Sequence, residues 1–447
     1  MLVVTSKKTN HCKMNITKTQ IKKLGKSIRV SQRESNSFKD EDLEKLQAYR
    51  VSFQKSMNNV FDFLVARSKY HYKGSLTVYR LKRIDTIVRK INREKTMDFS
   101  KMQDIAGCRS IVDSERQIYN IVADFEKNDQ FEIIDRVDYI IKPRDTGYVS
   151  YHLIVKPINE ERFVEIQLRT RSQHFWATLV EITDVVFNIK LKEGEDHPQL
   201  YRFHKLLAKG KNQLTTEDKI EIVQIERENE IISKVTSLFK SNYYVSIDRW
   251  GKAENRDEAQ YLIMELDEDL SPDFYFFKDF LNAESAYFDK FASNEPNMVL
   301  VHVNKPSFEK IGLAYSNYIL TSHPSIRLYV DILQGLILNF KSRNKQSETE
   351  DYLSYYSNMI DVIIESFHSE IDFMNKKIED NQIENIGIEE DKRQYLRLIR
   401  EWSDNMSRRL NFISNSDQDF YDELESFSEV KTARKGILGR ITDYLLN

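Results

Sequence analysis

Proline and glycine are scarce in this chain of 447 residues, at 7 and 12, which argues against a protein of tight hairpins and for long helices. Cysteine is scarcer still. Cys12 and Cys108 are the only two, far apart and without metal-ligand partners at useful spacing, so neither a disulfide framework nor a zinc site organises the fold, and a reducing cytoplasm is the expected setting. No apolar run approaches the roughly 18 residues of a membrane span, and the apolar start at Met1 ends by Val4; neither membrane insertion nor secretion is expected. Charge of one sign is missing too. Basic residues number 67 and acidic ones 70, for a net charge of −3, so no global field draws the chain to nucleic acid or membrane and any phosphate site must be local.

What is present is a 40% hydrophobic content with 25 Phe and 23 Tyr, enough for sizeable cores, and a length that suggests several domains. Residues 1–38 are basic and polar without clear periodicity and read as a loosely ordered lead-in. From Asp40 to Val65, Leu43, Leu46, Tyr49, Phe53, Val60, Phe61 and Leu64 recur at helical spacing, with a break expected near Asn58. Strands are expected at Cys108–Val112, Phe131–Ile141, Tyr148–Val155 and Phe163–Leu168, with helices around Ser114–Lys127 and Ser172–Val186. That alternation predicts an α+β domain over 39–192, a mixed sheet flanked by helices. The polar stretch Glu193–Asp218 reads as a junction to an accessory α+β domain at 219–340, with strands at Tyr243–Ile247, Tyr261–Leu266 and Met298–Val303. There, Phe274–Phe277 reads as core. The charged segment Lys341–Glu350 is a linker candidate, and 351–447 reads as helical, with Tyr352, Tyr355, Tyr356, Ile360 and Ile363 forming an apolar stripe.

Three local features could carry chemistry. Between Ala66 and Arg93 the charged residues are basic except Asp85. A helix over 81–93 would gather Lys82, Thr86, Arg89, Lys90 and Arg93 within roughly a 100° arc, with Leu81, Ile84, Ile87, Val88 and Ile91 opposite. That face suits a polyanion such as ATP, although an ordinary amphipathic surface helix looks the same. In Phe163–Arg169, Glu165, Gln167 and Arg169 share one face of a strand, either open to water or the floor of a site. Asp104, ahead of the first expected strand, is a turn residue or a second carboxylate; two such groups together would suit Mg²⁺, which prefers hard oxygen ligands. The loop Lys142–His152 contains Gly147, free to take positive φ, and Tyr148, whose ring could stack on a base for about 1–3 kcal/mol. His152 alone reads more readily as a core or edge histidine.

In order along the chain, Arg80-x-Lys82-x3-Thr86-x3-Lys90, Asp104-Ile-Ala-Gly-Cys-Arg109, Gly147-Tyr148-x-Ser150-x-His152, Glu165-Ile-Gln-Leu-Arg-Thr170 and His174-x-Trp176-Ala177 resemble the synthetase domain of the RelA/SpoT family. The resemblance covers about 40–190. It implies a nucleotidyltransferase-like fold and transfer of the β,γ-pyrophosphate of ATP to the 3′-hydroxyl of GDP or GTP, making ppGpp and pppGpp. It further implies that Arg80, Lys82, Thr86, Lys90 and Arg109 bind ATP, and that Asp104 and Glu165 hold Mg²⁺. Glu165 would also draw the proton from the attacking hydroxyl. Tyr148 would stack on the acceptor base, with Lys142 and His152 on the same side and Gln167 and Arg169 in support.

Two positions depart from the pattern. Thr86 stands where the family usually has Ser and keeps a hydroxyl. Val149 stands where it usually has Arg after the Gly-Tyr pair, which removes a cation and leaves room for another acceptor, notably the 3′ CCA end of tRNA, as in toxic small alarmone synthetases. No His-Asp dipeptide of the family's hydrolase occurs, so synthesis without self-reversal is expected, controlled by an antitoxin or other regulatory partner or by the chain's own C-terminal half. Residues around Gly312–Tyr318 resemble, more loosely, a region following this domain in longer relatives. A non-catalytic nucleotide sensor is the reading from another class, and retention of Asp104, Glu165 and Tyr148 together weighs against it.

Overall fold

The computed structural model describes residues 16–33, 40–189, 191, 197–209, 213–235, 246, 249–266, 272–294, 297–303, 308, 311–312, 324–356 and 358–359. Two compact units divide the chain, one of 1–177 with 252–319 and one of 178–251 with 320–447.

The first unit is α+β and holds one eight-stranded mixed sheet. Its strands are β1 (Leu76–Leu81), β2 (Ala106–Val112), β3 (Phe131–Asp138), β4 (Tyr151–Pro157), β5 (Val164–Thr170), β6 (Tyr261–Leu266), β7 (Pro272–Phe277) and β8 (Asn297–Val303), in the order β3-β4-β5-β2-β1-β8-β6-β7. β2 and β5 run parallel, and the other neighbours are antiparallel. The helices of this unit are α1 (Lys18–Arg33), α2 (Asp40–Val51), α3 (Gln54–His71), α4 (Ile84–Arg93) and α5 (Glu115–Glu126). α6 (Arg171–Val186) begins here, and α9 (Phe280–Asn294) connects β7 to β8.

Alternation along β2 and β5 decides where the site lies. Cys108, Ile166 and Leu168 are buried beneath α3 and α5, whereas Gly107, Arg109, Glu165 and Gln167 are half-buried on the opposite face. α5 starts where Gln117 Oε1 accepts the Ser114 N–H at 3.0 Å, a reciprocal capping arrangement, and it seats Ile118, Ile121, Val122 and Phe125 in the core. On the same face Ser68 of α3 bonds Ser110 of β2 at 2.7 Å.

Several expectations are corrected. The lead-in contains α1, whose Ile21, Leu24 and Ile28 are buried. Arg29 donates to the carbonyls of Ile91, Glu94 and Met97, satisfying acceptors at and beyond the C-terminal end of α4. The break in the following helical stretch falls at Ser52–Phe53, not near Asn58. β1 occupies the start of the expected basic helix and shortens it: Arg80 and Leu81 are strand residues, Lys82 and Arg83 connect, and α4 begins at Ile84. Backbone pairing on both sides of β1, to Gly107 of β2 and Val301 of β8 at Arg80, outweighs the helical periodicity there.

The largest correction concerns 219–340, expected as a separate domain. Its strands at 261–266 and 297–303 join the same sheet, with β8 paired to β1 through Val78↔Val303, Tyr79↔His302 and Arg80↔Val301. Ser246 is helical, and the rest of the strand expected at Tyr243–Ile247 lies outside the described residues. Phe274 and Phe276 are buried, in keeping with a core reading.

In the second unit, α7 (Pro198–Leu207) and α8 (Thr216–Asn229) pack together, and α10 (Pro324–Ser342) packs on α8. Lys341–Glu350 is not a linker, because helix resumes at 346. Tyr352 and Tyr356 are core residues: Tyr352 meets the Phe340 ring at 5.1 Å, and Tyr356 Oη accepts from Gln334 Nε2 at 2.6 Å. Ile360, Ile363 and most of Gly312–Tyr318 lie outside the described residues. Among the described residues no helix is long and apolar enough to cross a membrane.

Candidate active site

β1 and β2 run antiparallel with Leu81 opposite Ala106, and the Lys82 N–H continues the ladder onto the Ile105 carbonyl at 2.8 Å. The residue after β1 and the residues before β2 are therefore neighbours. Lys82 Nζ reaches Asp104 Oδ2 at 2.8 Å, and Lys90 Nζ, from the last turn of α4, reaches the same oxygen at 3.0 Å. α4 turns Ile84, Ile87 and Ile91 fully inward, which presents Lys90 at the other face. Burial pushes the Asp104 carboxyl up, but the two ammonium groups more than offset it and hold it below the usual carboxylate range. Asp104 Oδ1 is buried and accepts no hydrogen bond.

The parallel β2–β5 register places Gly107 beside Glu165 and Arg109 beside Gln167. Glu165 Oε1 meets His152 Nδ1 at 2.9 Å, and Oε2 accepts from Gln167 Nε2 at 3.1 Å. Burial would raise the Glu165 carboxyl, and the negative charge of Asp104 works in the same direction. The bond to His152, its charge and the bond from Gln167 together outweigh burial and keep the carboxyl below its ordinary value. Glu165 lies beside Gly107, three residues after Asp104, close enough for the Asp104 charge to act on it. Gln167 Oε1 in turn accepts from Arg109 Nη2 at 3.4 Å and Arg169 Nη2 at 3.2 Å.

The third group hangs from the loop before β4. Gly147 has φ of 89°, a left-handed turn that a side chain would strain, and the chain re-enters the sheet with Tyr148 over its polar face. Tyr148 Oη bonds His152 Nε2 at 2.8 Å and accepts from Arg169 Nη2 at 2.8 Å. Burial disfavours the phenolate, yet Arg169 and His152 outweigh that and bring the phenol down to about 7. His152 thus bridges Tyr148 and Glu165. Burial would lower its imidazole, but the bonds to Glu165 and Tyr148 and the charges of both together outweigh burial and raise it.

Of the residues marked from sequence, Lys82, Lys90 and Asp104 form one cluster, and Glu165, His152, Tyr148, Gln167, Arg169 and Arg109 form a connected second one. Thr86 is half-buried on α4, and Arg80 lies in β1 opposite Gly107. Lys142 is exposed; the loop cation that touches the aromatic side is Arg144, 4.6 Å from the Tyr139 ring centroid and 5.7 Å from that of Tyr148. Arg144, Tyr139 and Trp176, the last with its ring 6.3 Å from Tyr148, were not marked for a role. Trp176 stands in the His174-x-Trp176-Ala177 motif and Arg144 in the Lys142–His152 loop, which are the signals that pointed to them.

Residues 79–184 match the family model described as "Region found in RelA / SpoT proteins", so the chain carries a RelA/SpoT region over that span. It is 36% identical over 114 residues to the GTP pyrophosphokinase YwaC of Bacillus subtilis strain 168, covering 23% of this chain and 54% of that protein. It is 33% identical over 108 residues to the GTP pyrophosphokinase YjbM of the same strain, covering 22% and 51%. The chain thus spans about half the length of these curated relatives. Among solved structures, the small alarmone synthetase 1 of B. subtilis bound to its product pppGpp aligns at 23% identity with a TM-score of 0.33, over 42% of this chain and 96% of that one.

Proposed function

We propose that this protein transfers the β,γ-pyrophosphate of ATP to the 3′-hydroxyl of GDP or GTP. The observation that carries the reading is the convergence of Lys82 and Lys90 on Asp104 while Glu165, within electrostatic reach, is kept ionised by His152. The RelA/SpoT region and the names of the relatives support the same reaction class.

In this reading Lys82, Lys90 and Arg109, with Arg80 and Thr86, hold the ATP phosphates. Such transfer depends largely on positioning and charge neutralisation. Asp104 and Glu165 would hold Mg²⁺: both offer hard oxygens, and the unpartnered Asp104 Oδ1 is an acceptor that a cation would satisfy. Bound there, Mg²⁺ would neutralise charge on the phosphates. Glu165 takes the proton of the 3′-hydroxyl as its oxygen bonds the β-phosphorus, and the bond to the α-phosphate bridging oxygen breaks to release AMP. His152 holds Glu165 as the carboxylate needed for that step. Gln167 and Arg169 orient Glu165 and Tyr148, and Tyr148 offers its ring to the acceptor base, with His152 alongside and Lys142 on the loop.

tRNA is the second acceptor to consider, because Val149 leaves no cation directly after Tyr148. Arg144 supplies one to the same aromatic pair, which favours a free guanine nucleotide. The test is incubation of the purified chain with γ-labelled ATP, Mg²⁺ and GDP, GTP or deacylated tRNA. Label should pass to the guanine nucleotide, and Glu165→Gln should slow transfer by roughly 10²–10⁴-fold or more. Label in tRNA alone would replace the acceptor assignment, and label in neither would remove the enzymatic reading.

A further inference from the structure

The RelA/SpoT region ends at residue 184, but the elements that steady its first lysine include one from far downstream. We propose that Arg50, anchored by Glu284 of α9, is a positioning residue for Lys82, so that the segment carrying β6 to β8 belongs to the machinery that grips ATP. This rests on the assignment of Lys82 to the ATP phosphates made above.

Arg50 and Glu284 form an ion pair of 3.2 Å with side-chain exposures of 0% and 2%. Two of the three guanidinium nitrogens are directed at acceptors, and Nη2 is buried without a hydrogen bond. Nε donates to the Lys82 carbonyl at 3.2 Å, Nη1 donates to Gln47 Oε1 at 3.3 Å, and the carbon lies 4.5 Å from the centroid of the Tyr287 ring, also on α9. Gln47 closes the circuit by donating Nε2 to the Glu284 carbonyl at 3.2 Å. Lys82 is consequently held at three points: its carbonyl by Arg50, its N–H by Ile105 and its ammonium by Asp104.

A buried ion pair is a poor device for stability alone, because desolvation of both charges consumes most of their attraction and apolar residues of similar volume serve as well. What a planar guanidinium adds is fixed direction toward several acceptors at once. Here those acceptors belong to α2, α9 and the β1–α4 connection. β8 reinforces the link by pairing with β1 at Val78–Arg80, two residues short of Lys82.

The experiment measures affinity of the full chain for a non-hydrolysable ATP analogue by titration calorimetry, and KM for ATP in the transfer assay. Two variants guard against misfolding: Glu284→Gln strands the Arg50 charge, whereas the pair Arg50→Met with Glu284→Leu removes both charges and keeps apolar packing. Both should weaken analogue binding and raise KM for ATP by about 10- to 100-fold, the scale of a small displacement at a reacting centre, while KM for the acceptor stays put. Glu284→Asp should recover part of the loss, and in a Lys82→Ala background Glu284→Gln should add nothing. A merely structural role would lower the active fraction at constant KM and would add to Lys82→Ala. Unchanged ATP affinity in both variants, or full additivity with Lys82→Ala, overturns the proposal. Transfer missing from a wild-type chain that binds the analogue, with affinity falling as described, overturns the reaction assignment and upholds the coupling. Wild-type chain that binds no analogue overturns both.

Discussion

Replacing Arg169 by Gln should abolish an unusual ionisation at Tyr148. The Tyr148 phenol falls from 10.0 to about 7 although burial opposes the phenolate. Three units favour the phenolate by roughly 4 kcal/mol. Arg169 Nη2 stands 2.8 Å from the oxygen, and a unit charge at that distance in an effective dielectric near 20 contributes on the order of 6 kcal/mol before solvent screening. The guanidinium is the largest favourable contribution, but burial exceeds it, so the net fall also needs His152, and without Arg169 burial is opposed mainly by His152. Ultraviolet difference absorbance during a pH titration reports phenolate directly. Of the 23 tyrosines, one should ionise near neutrality in the wild type, none in Tyr148→Phe, and the step should move up by two units or more in Arg169→Gln. A wild-type titration with no phenolate before the alkaline range would refute this reasoning, as would a neutral step that survives in Arg169→Gln.

Asp104→Asn should lower the melting temperature at neutral pH, by a loss of roughly 1.5–3 kcal/mol for hydrogen bonds to a charged group. Because Lys82 and Lys90 hold the Asp104 carboxyl below 3.8 against burial, its stabilisation is present above the unfolded value and lost as pH falls through the folded one. The gap between variant and wild type should close in strong acid, and a pH-independent gap counts against the pairing. Arg29→Met removes the donor to the Ile91, Glu94 and Met97 carbonyls; it should cost about 1–3 kcal/mol in urea denaturation, and an unmoved midpoint would show those bonds to be dispensable. Val149→Arg should raise the preference for guanine nucleotide over tRNA in the labelling assay, and an unaltered ratio would mean Arg144 already supplies the needed cation.

The parts of the fold that were legible in sequence are those whose pattern is local. Glu165, Gln167 and Arg169 alternate with Val164, Ile166 and Leu168, and the structure keeps that alternation. Ser114 marked the start of α5. What escaped depends on distant partners. β1 is short and precedes a run of isoleucines at helical spacing, so its strand character comes from β2 and β8 rather than from Leu76–Leu81 alone. α1 was hidden by its lysines, because a basic surface stripe obscured Ile21, Leu24 and Ile28. On the acceptor loop, composition could not tell which cation folds back: the turn at Gly147 and the stacking of Arg144 on Tyr139 decide it, leaving Lys142 exposed. His152 by sequence context alone matches an ordinary core histidine, and the family resemblance puts it on the acceptor side; its bridging role comes from its two nitrogens, which face Tyr148 and Glu165.

The continuity of the sheet makes a claim about cooperativity that a two-domain reading of 39–192 and 219–340 would not make. Val301 is fully buried in β8, between β1 and β6, and opposes Arg80 on one side and Leu262 on the other. Next to it His302 lies 4.7 Å from the ring of Tyr79 and 4.6 Å from that of Phe61, and burial pushes its imidazole down to about 4. A proline at 301 has no N–H for the ladder and should cost roughly 3 kcal/mol or more. If one sheet is one folding unit, that loss must appear as reduced hydrogen-exchange protection in β2 and β5 as well as in β6, although neither β2 nor β5 touches residue 301. Protection lost in β6 and β7 alone, with the amides of Cys108, Ser110, Ile166 and Leu168 as slow as before, would mean that the downstream strands are an independently folding addition to the sheet.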